Sequence, residues 1–155
     1  MATGREFTLR RARPEDAAVI ADIHLRSRRH GLPHLPEVHT DAETRYWVSE
    51  VMLPQQEVWV AEAAGGVAGF AALHEGWLEH LYIAPEHQGY GLGSALLDLA
   101  MARNPAGLQL YAFQRNDRAR RFYERRGFVA EWFGDGAENE EGEPDVRYRW
   151  PGTPE

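Results

Sequence analysis

An α/β domain built on one mixed, mostly antiparallel sheet is the fold class that this 155-residue sequence predicts. Two observations predict it. Three strand-like runs follow one another, 58–63, 67–73 and 77–84, and Ala64-Gly65-Gly66 joins the first two with a hairpin signal. After them, strands and helices alternate until a last strand pair encloses an acidic loop. The order β-α-α-β-β-β-α-β-α-β-β gives a sheet of about six to seven strands with about four helices on its faces. It lacks the regular alternation of a doubly wound dinucleotide fold. With no repeat, low-complexity tract or linker to split it, the stretch 1–155 reads as one domain.

Each element has its own signal. Phe7 to Arg11 reads as the first strand. Pro14 suits a first helical position, and Glu15 and Asp16 suit the positive end of a helix dipole. Ala17, Ile20, Ile23 and Ser27 form a helical stripe that Gly31 ends. A Pro/His-rich loop, His30 to His39, leads to Thr40-x-x-Glu43, a capping box opening a second helix with Tyr46, Trp47, Val51 and Met52. The third helix runs from Gly91 to about Arg103 with Ala95, Leu96, Leu99 and Ala100 inward. Leu108 to Phe113 is a strand, Asp117 to Arg126 a helix stopped by Gly127, and 128–133 and 146–150 the closing strands.

Composition narrows the function. Hydrophobic residues make up 43% and charged residues 26%, ordinary for a globular protein. No apolar run approaches the ~20 residues of a membrane helix, and MATGREFTLRRARPED offers no secretory segment. The expected location is cytoplasmic, with no membrane partner. Cysteine is absent, which excludes disulfides, thiolate metal sites and a cysteine nucleophile. A formal charge of −7 disfavours nucleic acid and favours cationic ligands. Seven acids lie between Glu131 and Asp145 with no Lys or Arg among them, and six arginines between Arg115 and Arg126. These read either as a solvated loop and helix face, or as an amine-attracting rim and a phosphate-steering helix.

The chemistry concentrates in Leu81-Tyr82-Ile83-Ala84-Pro85-Glu86-His87-Gln88-Gly89-Tyr90-Gly91-Leu92-Gly93-Ser94, where a strand passes through a glycine-rich turn into a helix. A helix start with little side-chain bulk leaves backbone N–H groups approachable and attracts phosphate. The turn follows the fourth strand rather than a first βα unit, and no acidic residue ends a neighbouring strand about 20 residues on, which argues against a dinucleotide fingerprint. There is no Gly-Lys-Ser/Thr, so this is not a P-loop.

Gln88-x-x-Gly91-x-Gly93 resembles the Gln/Arg-x-x-Gly-x-Gly/Ala signature of the GNAT superfamily of N-acetyltransferases. About 30 residues later, Asn116, Ala119 and Phe122-Tyr123-x-x-x-Gly127-Phe128 are similar to that family's second motif. The element order resembles the GNAT fold throughout, although 1–77 match in architecture only. The resemblance implies acetyl-CoA as cosubstrate, held between the fourth and fifth strands. Its pantetheine arm would pair with the backbone of Leu81, Tyr82 and Ile83. Its pyrophosphate would sit on the amides from Gly89 to Ser94, with Gln88, Tyr90, Gly91, Leu92 and Gly93 in the same cofactor-binding turn. Asn116 would bond near the pantetheine or order the turn before the last helix.

The resemblance also implies transfer of an acetyl group to a primary amine. Tyr123 is similar to the family's general acid for the departing thiolate. Glu79 is the expected base, directly or through a water, because simple alternation would put it on one face with Leu81 and Ile83. His80 is its rival and would point to the opposite face. Without cysteine, attack is expected to be direct, within a ternary complex. No metal is expected: His30, His34 and His39 lie in a loop without a ligand pattern. Leu32 to His39 is expected to border the acceptor, a small-molecule or protein amine. The loop from Gly134 to Asp145 either closes over the acceptor or meets a partner subunit in a homodimer. Trp47, Trp59, Trp132 and Trp150 read as core or interface residues. Two rival readings are a CoA-binding regulatory module with little catalysis and a transferase of longer acyl groups.

Overall fold

The computed structural model describes residues 6–154. Met1 to Arg5 and Glu155, which the one-domain reading includes, lie outside the described residues. Seven strands form one sheet: β1 (Phe7–Arg11), β2 (Glu57–Ala63), β3 (Gly66–His74), β4 (Trp77–Ile83), β5 (Leu108–Phe113), β6 (Val129–Gly134) and β7 (Asp145–Trp150). Their order is β1-β2-β3-β4-β5-β7-β6. Four main helices accompany them: α1 (Ala17–Gly31), α2 (Asp41–Trp47), α3 (Leu92–Arg103) and α4 (Asp117–Arg125). The expected mixed, mostly antiparallel sheet is therefore present, with a π-helical turn (Val48–Met52) and a short turn (Leu53–Gln55) prolonging α2.

Helix boundaries follow local chemistry. The Thr40 hydroxyl accepts from the Glu43 amide at 3.1 Å, and the Glu43 carboxylate accepts from the Thr40 amide at 2.9 Å, closing the capping box of α2. The α3 helix begins at Leu92, one residue later than the sequence suggests, because Gly91 is left-handed with φ 87°. Its inward face is also rotated. Leu92, Leu96, Leu97 and Ala100 are buried, while Ala95 and Leu99 are only partly so. The i, i+4, i+8 row from Leu92 packs on the sheet, and Leu97 widens it.

The sheet separates two cores. On one face α3 covers Leu78, Leu108 and Leu110, with Phe128 and Tyr148 in the same cluster. On the other, α1 and the turn after α2 bury Ile20, Ile23, Val48 and Met52 against Val58, Val60 and Phe70. One junction is incomplete. β4 and β5 run parallel and pair only at Trp77 and Gln109, assisted by the Gln109 amide on the Gly76 carbonyl at 3.0 Å. Beyond that point the strands part, and the β5-facing edge of β4 has no strand beside it.

Candidate active site

The glycine turn leaves the end of β4 through a 3₁₀ turn, Pro85–His87. Gly89 and Gly91 have φ of 86° and 87°, a left-handed backbone that side chains with a Cβ resist. Nothing lies within 4 Å of where a Cβ would stand at either one. Gly91 is the N-cap of α3 and supplies no capping side chain. The first-turn amides of Leu92, Gly93 and Ser94 therefore have no capping side chain at the positive end of the helix. Gly93 lies under the turn instead, and a Cβ there would meet Ile83 at 3.7 Å and Phe122 at 3.9 Å. Gln88 fixes the loop to both neighbours. Its Nε2 donates to the Ile83 carbonyl at 3.2 Å, and its Oε1 accepts from Arg118 at 3.2 Å. This donor-rich cradle fits a diphosphate, and the one carboxylate of the turn, Glu86, is held by Arg26 at 2.8 Å.

β4 departs from simple alternation. Its register against β3 shifts between Leu73–Leu78 and Ala72–His80, so Glu79 is an extra residue in a bulge. Leu78, Leu81 and Ile83 pack in one cluster, and the bulge interrupts the strict alternation on which the expected face of Glu79 rests. Glu79 is an exposed residue, and partial desolvation of its carboxyl group raises its pKa above the ordinary carboxylate value, against a smaller opposing pull from His74. His80 points to the opposite side from Leu81, as expected, toward His24 and Trp47, with ring centroids 5.6 Å and 5.2 Å away. The backbone of Leu81 and Tyr82 borders the gap toward β5. The Ile83 carbonyl is already engaged, because Ser27 donates to it at 2.7 Å in addition to Gln88.

The second motif forms the start of α4. The Asn116 side chain accepts from the Ala119 amide at 3.2 Å, so this residue caps the helix and orders the turn before it. Tyr123 packs among Phe122, Phe128 and Tyr148, with centroids 5.3, 5.8 and 6.3 Å away. Burial pushes its phenol up, which keeps the O–H protonated across the neutral range. Tyr90 packs against the same core.

On the α1 side of β4 lies a cavity of about 890 Å³. Leu25, Leu32, Leu35, Val38, Tyr46 and Trp47 supply most of its apolar lining, and His24 and His80 its polar end. Leu32 to His39 borders it, as the sequence suggests, although His34 and Pro36 do not line it. The β6–β7 connection crosses its mouth as a strap. Glu141 accepts from Arg28 at 2.7 Å, and Glu140 meets His39 at 2.9 Å. The strap is itself braced. Asn139 donates to the Glu143 carbonyl at 2.7 Å, and the Arg115 guanidinium holds the Glu143 carboxylate at 2.6 and 2.8 Å. A smaller cavity of about 370 Å³ lies on the strap's other side, against Tyr111, Phe113 and Trp132. Glu141 lines both cavities.

Sequence reasoning passed over His24, Arg28 and Leu25. His24 and Arg28 stand at four-residue spacing from Ile20, a row visible in the sequence once α1 is placed. What it cannot reveal is that the row reaches β4 and the strap.

Comparison with known proteins agrees with this geometry. The family described as "Acetyltransferase (GNAT) domain" matches residues 54–130. The peptidyl-lysine N-acetyltransferase YiaC of Escherichia coli is 29% identical over 127 residues, covering 77% of this chain and 82% of that protein. A GCN5-related N-acetyltransferase from Rhodopseudomonas palustris is 26% identical, with a TM-score of 0.75 over 97% of both chains. The chain belongs to the GNAT superfamily of N-acetyltransferases. This makes it an acyltransferase. The fold is also that of yncA from Salmonella typhimurium, solved with acetyl-CoA, with a TM-score of 0.73, 20% identity and 94% coverage of each chain. Among the described residues, no helix is long and apolar enough to cross a membrane.

Proposed function

We propose that this chain moves an acetyl group from acetyl-CoA to a primary amine by direct attack within a ternary complex. The observation that carries the reading is the placement of β4. Its end feeds the uncapped glycine turn, its free edge borders the gap to β5, and His80 on its other side lines the large cavity. The diphosphate lies on the amides from Gly89 to Ser94. The pantetheine pairs along Leu81 and Tyr82, where backbone N–H groups also serve the thioester oxygen as negative charge develops. Arg118 fixes Gln88 beneath the phosphates.

The amine nitrogen attacks the thioester carbonyl carbon, the C–S bond breaks, and an amide forms. Glu79 takes the ammonium proton through a water before attack, and the second proton, lost from nitrogen as the amide forms, replaces the one that Tyr123 gives up. The raised pKa of Glu79 and its place on the bulge beside His80 support its role. Tyr123 gives its phenolic proton to the departing thiolate, and burial, which keeps that phenol neutral, supports this role.

Thiol release from acetyl-CoA in the presence of an amine panel tests the reading. All 17 Lys and Arg residues are arginines, so released thiol cannot come from acetylation of the enzyme's own lysines. Turnover that falls about tenfold or more in Tyr123→Phe supports it, in line with general-acid help of ~10²–10⁴. CoA binding without thiol release for any amine would instead favour a regulatory CoA-binding module.

A further inference from the structure

The large cavity has a charge arrangement that restricts what can occupy it. Four carboxylates line it: Glu141, largely shielded and held by Arg28, and the exposed Glu37, Glu43 and Glu140, which meet Arg29, the Thr40 amide and His39. The wall between them is apolar. At its β4 end the edge-to-face pair His24 and His80, with Trp47 against His80, has no hydrogen bond or ion pair to another described residue.

We propose that this cavity admits a primary monoamine carried on an apolar body, such as an arylalkylamine, with its nitrogen at His24 and His80 and its body among Leu25, Leu35, Val38 and Trp47. The proposal rests on the acetyltransferase reading and adds the acceptor class. Inside the cavity a second ammonium group would meet only Glu141 as a shielded carboxylate and would have to break its pair with Arg28. The volume of about 890 Å³ lies within the range of ~300–1,000 Å³ common to small-molecule pockets. Burial, with Arg28 nearby, lowers His24 to about 4 and His80 to about 3. The same surroundings lower the pKa of a bound amine and so present the neutral nucleophile. The unprotonated imidazoles then accept its N–H bonds.

Two measurements test this together. The first compares kcat/KM for phenethylamine, spermidine and a lysine-containing peptide by thiol release. Phenethylamine is expected to lead by at least about tenfold, the scale on which apolar pockets discriminate. The second follows tryptophan fluorescence as phenethylamine is added without acetyl-CoA. Saturable quenching that Trp47→Leu removes is expected. Val38→Glu, which sets an unpaired carboxylate on a half-exposed wall position, is expected to shift the phenethylamine-to-spermidine ratio about tenfold toward spermidine. Preference of the unaltered chain for spermidine or the lysine peptide would overturn the monoamine assignment and leave the acetyltransferase reading standing. Absence of phenethylamine binding while CoA binds would do the same. Failure of CoA itself to bind would overturn the reading on which both rest.

Discussion

The phosphate turn and the large cavity lie on opposite sides of β4 and are assembled differently. The turn is one contiguous run, 84–94, whose shape comes from two left-handed glycines and the uncapped start of α3. The cavity draws on three separate stretches: 24–47 from α1 to α2, His80 from β4, and 140–141 from the strap. The first needs only local backbone geometry. The second is completed by Arg28 reaching Glu141 and His39 reaching Glu140, contacts spanning 113 and 101 residues of sequence. A local device of this kind accommodates a constant ligand, and a composite one can change its acceptor by changing any one stretch.

The sharpest way to break the contrast is Gly91→Val. Valine has space at this position but not the backbone angle, since φ is 87°. The left-handed conformation costs about 1–2 kcal/mol for an ordinary residue and more for a β-branched one. The turn should rearrange and the amides lose their aim. CoA affinity by calorimetry should fall by at least about 100-fold, while the circular dichroism spectrum stays that of the parent. Unchanged affinity would place the phosphates elsewhere.

Glu79→Gln comes next, because it lies between the two regions. A change in kcat of about 100-fold with CoA affinity preserved is expected if the carboxylate accepts the amine proton. A drop of that size in His80→Gln, with Glu79→Gln nearly silent, would move the base to the cavity side of the bulge.

The same contrast explains what the sequence makes legible. The turn, the capping box at Thr40 and the succession of strands and helices along the chain follow from local rules, and each stands in the structure within a residue or two of its expected place. The bulge at Glu79 does not follow. It depends on pairing with β3, and it interrupts the strict alternation on which the expected face of Glu79 rests. His24 was hidden for a related reason. A histidine on the apolar side of an amphipathic helix looks like any half-buried residue until β4 brings His80 to it. The six arginines of 115–126 do not act as one group. Arg115 and Arg126 are held by Glu143 and Asp98, and Arg118 reaches the phosphate turn through Gln88.

A smaller effect separates the regions by pH. His24 and His80 have folded pKa values of about 4 and about 3, below the ordinary 6.5. The unfolded chain therefore binds protons first as the pH drops. The stability tied to the neutral pair is complete above about 6.5 and is lost progressively from there down toward 4 and 3. Arg28, Tyr82 and, across the strap, Glu141 are the charged or titratable groups nearest the pair. Between pH 7.5 and 5 each imidazole should remove on the order of 1–2 kcal/mol, read from urea midpoints. His24→Phe should flatten that slope by about half. An unchanged slope would mean that the pair is not sealed from water.

The gentlest probe of turnover is Arg28→Ala. It releases Glu141 and one of the strap's two anchors on the α1 side, while Asn139 and Arg115 still brace the strap from within. The pair is largely shielded from solvent, so leaving Glu141 without its cation should cost on the order of 1–3 kcal/mol and lower the melting temperature by a few degrees. The cavity mouth is what changes. The acceptor KM should rise about threefold to fivefold, and affinity for CoA should remain that of the parent, because no part of the glycine turn touches Arg28. The change also frees the Glu141 carboxylate at the shared wall of both cavities. Spermidine should therefore improve as an acceptor while phenethylamine worsens. Equal loss for both amines would show the strap to be a simple lid, and an effect on CoA affinity would show that the two sides of β4 are coupled rather than independent.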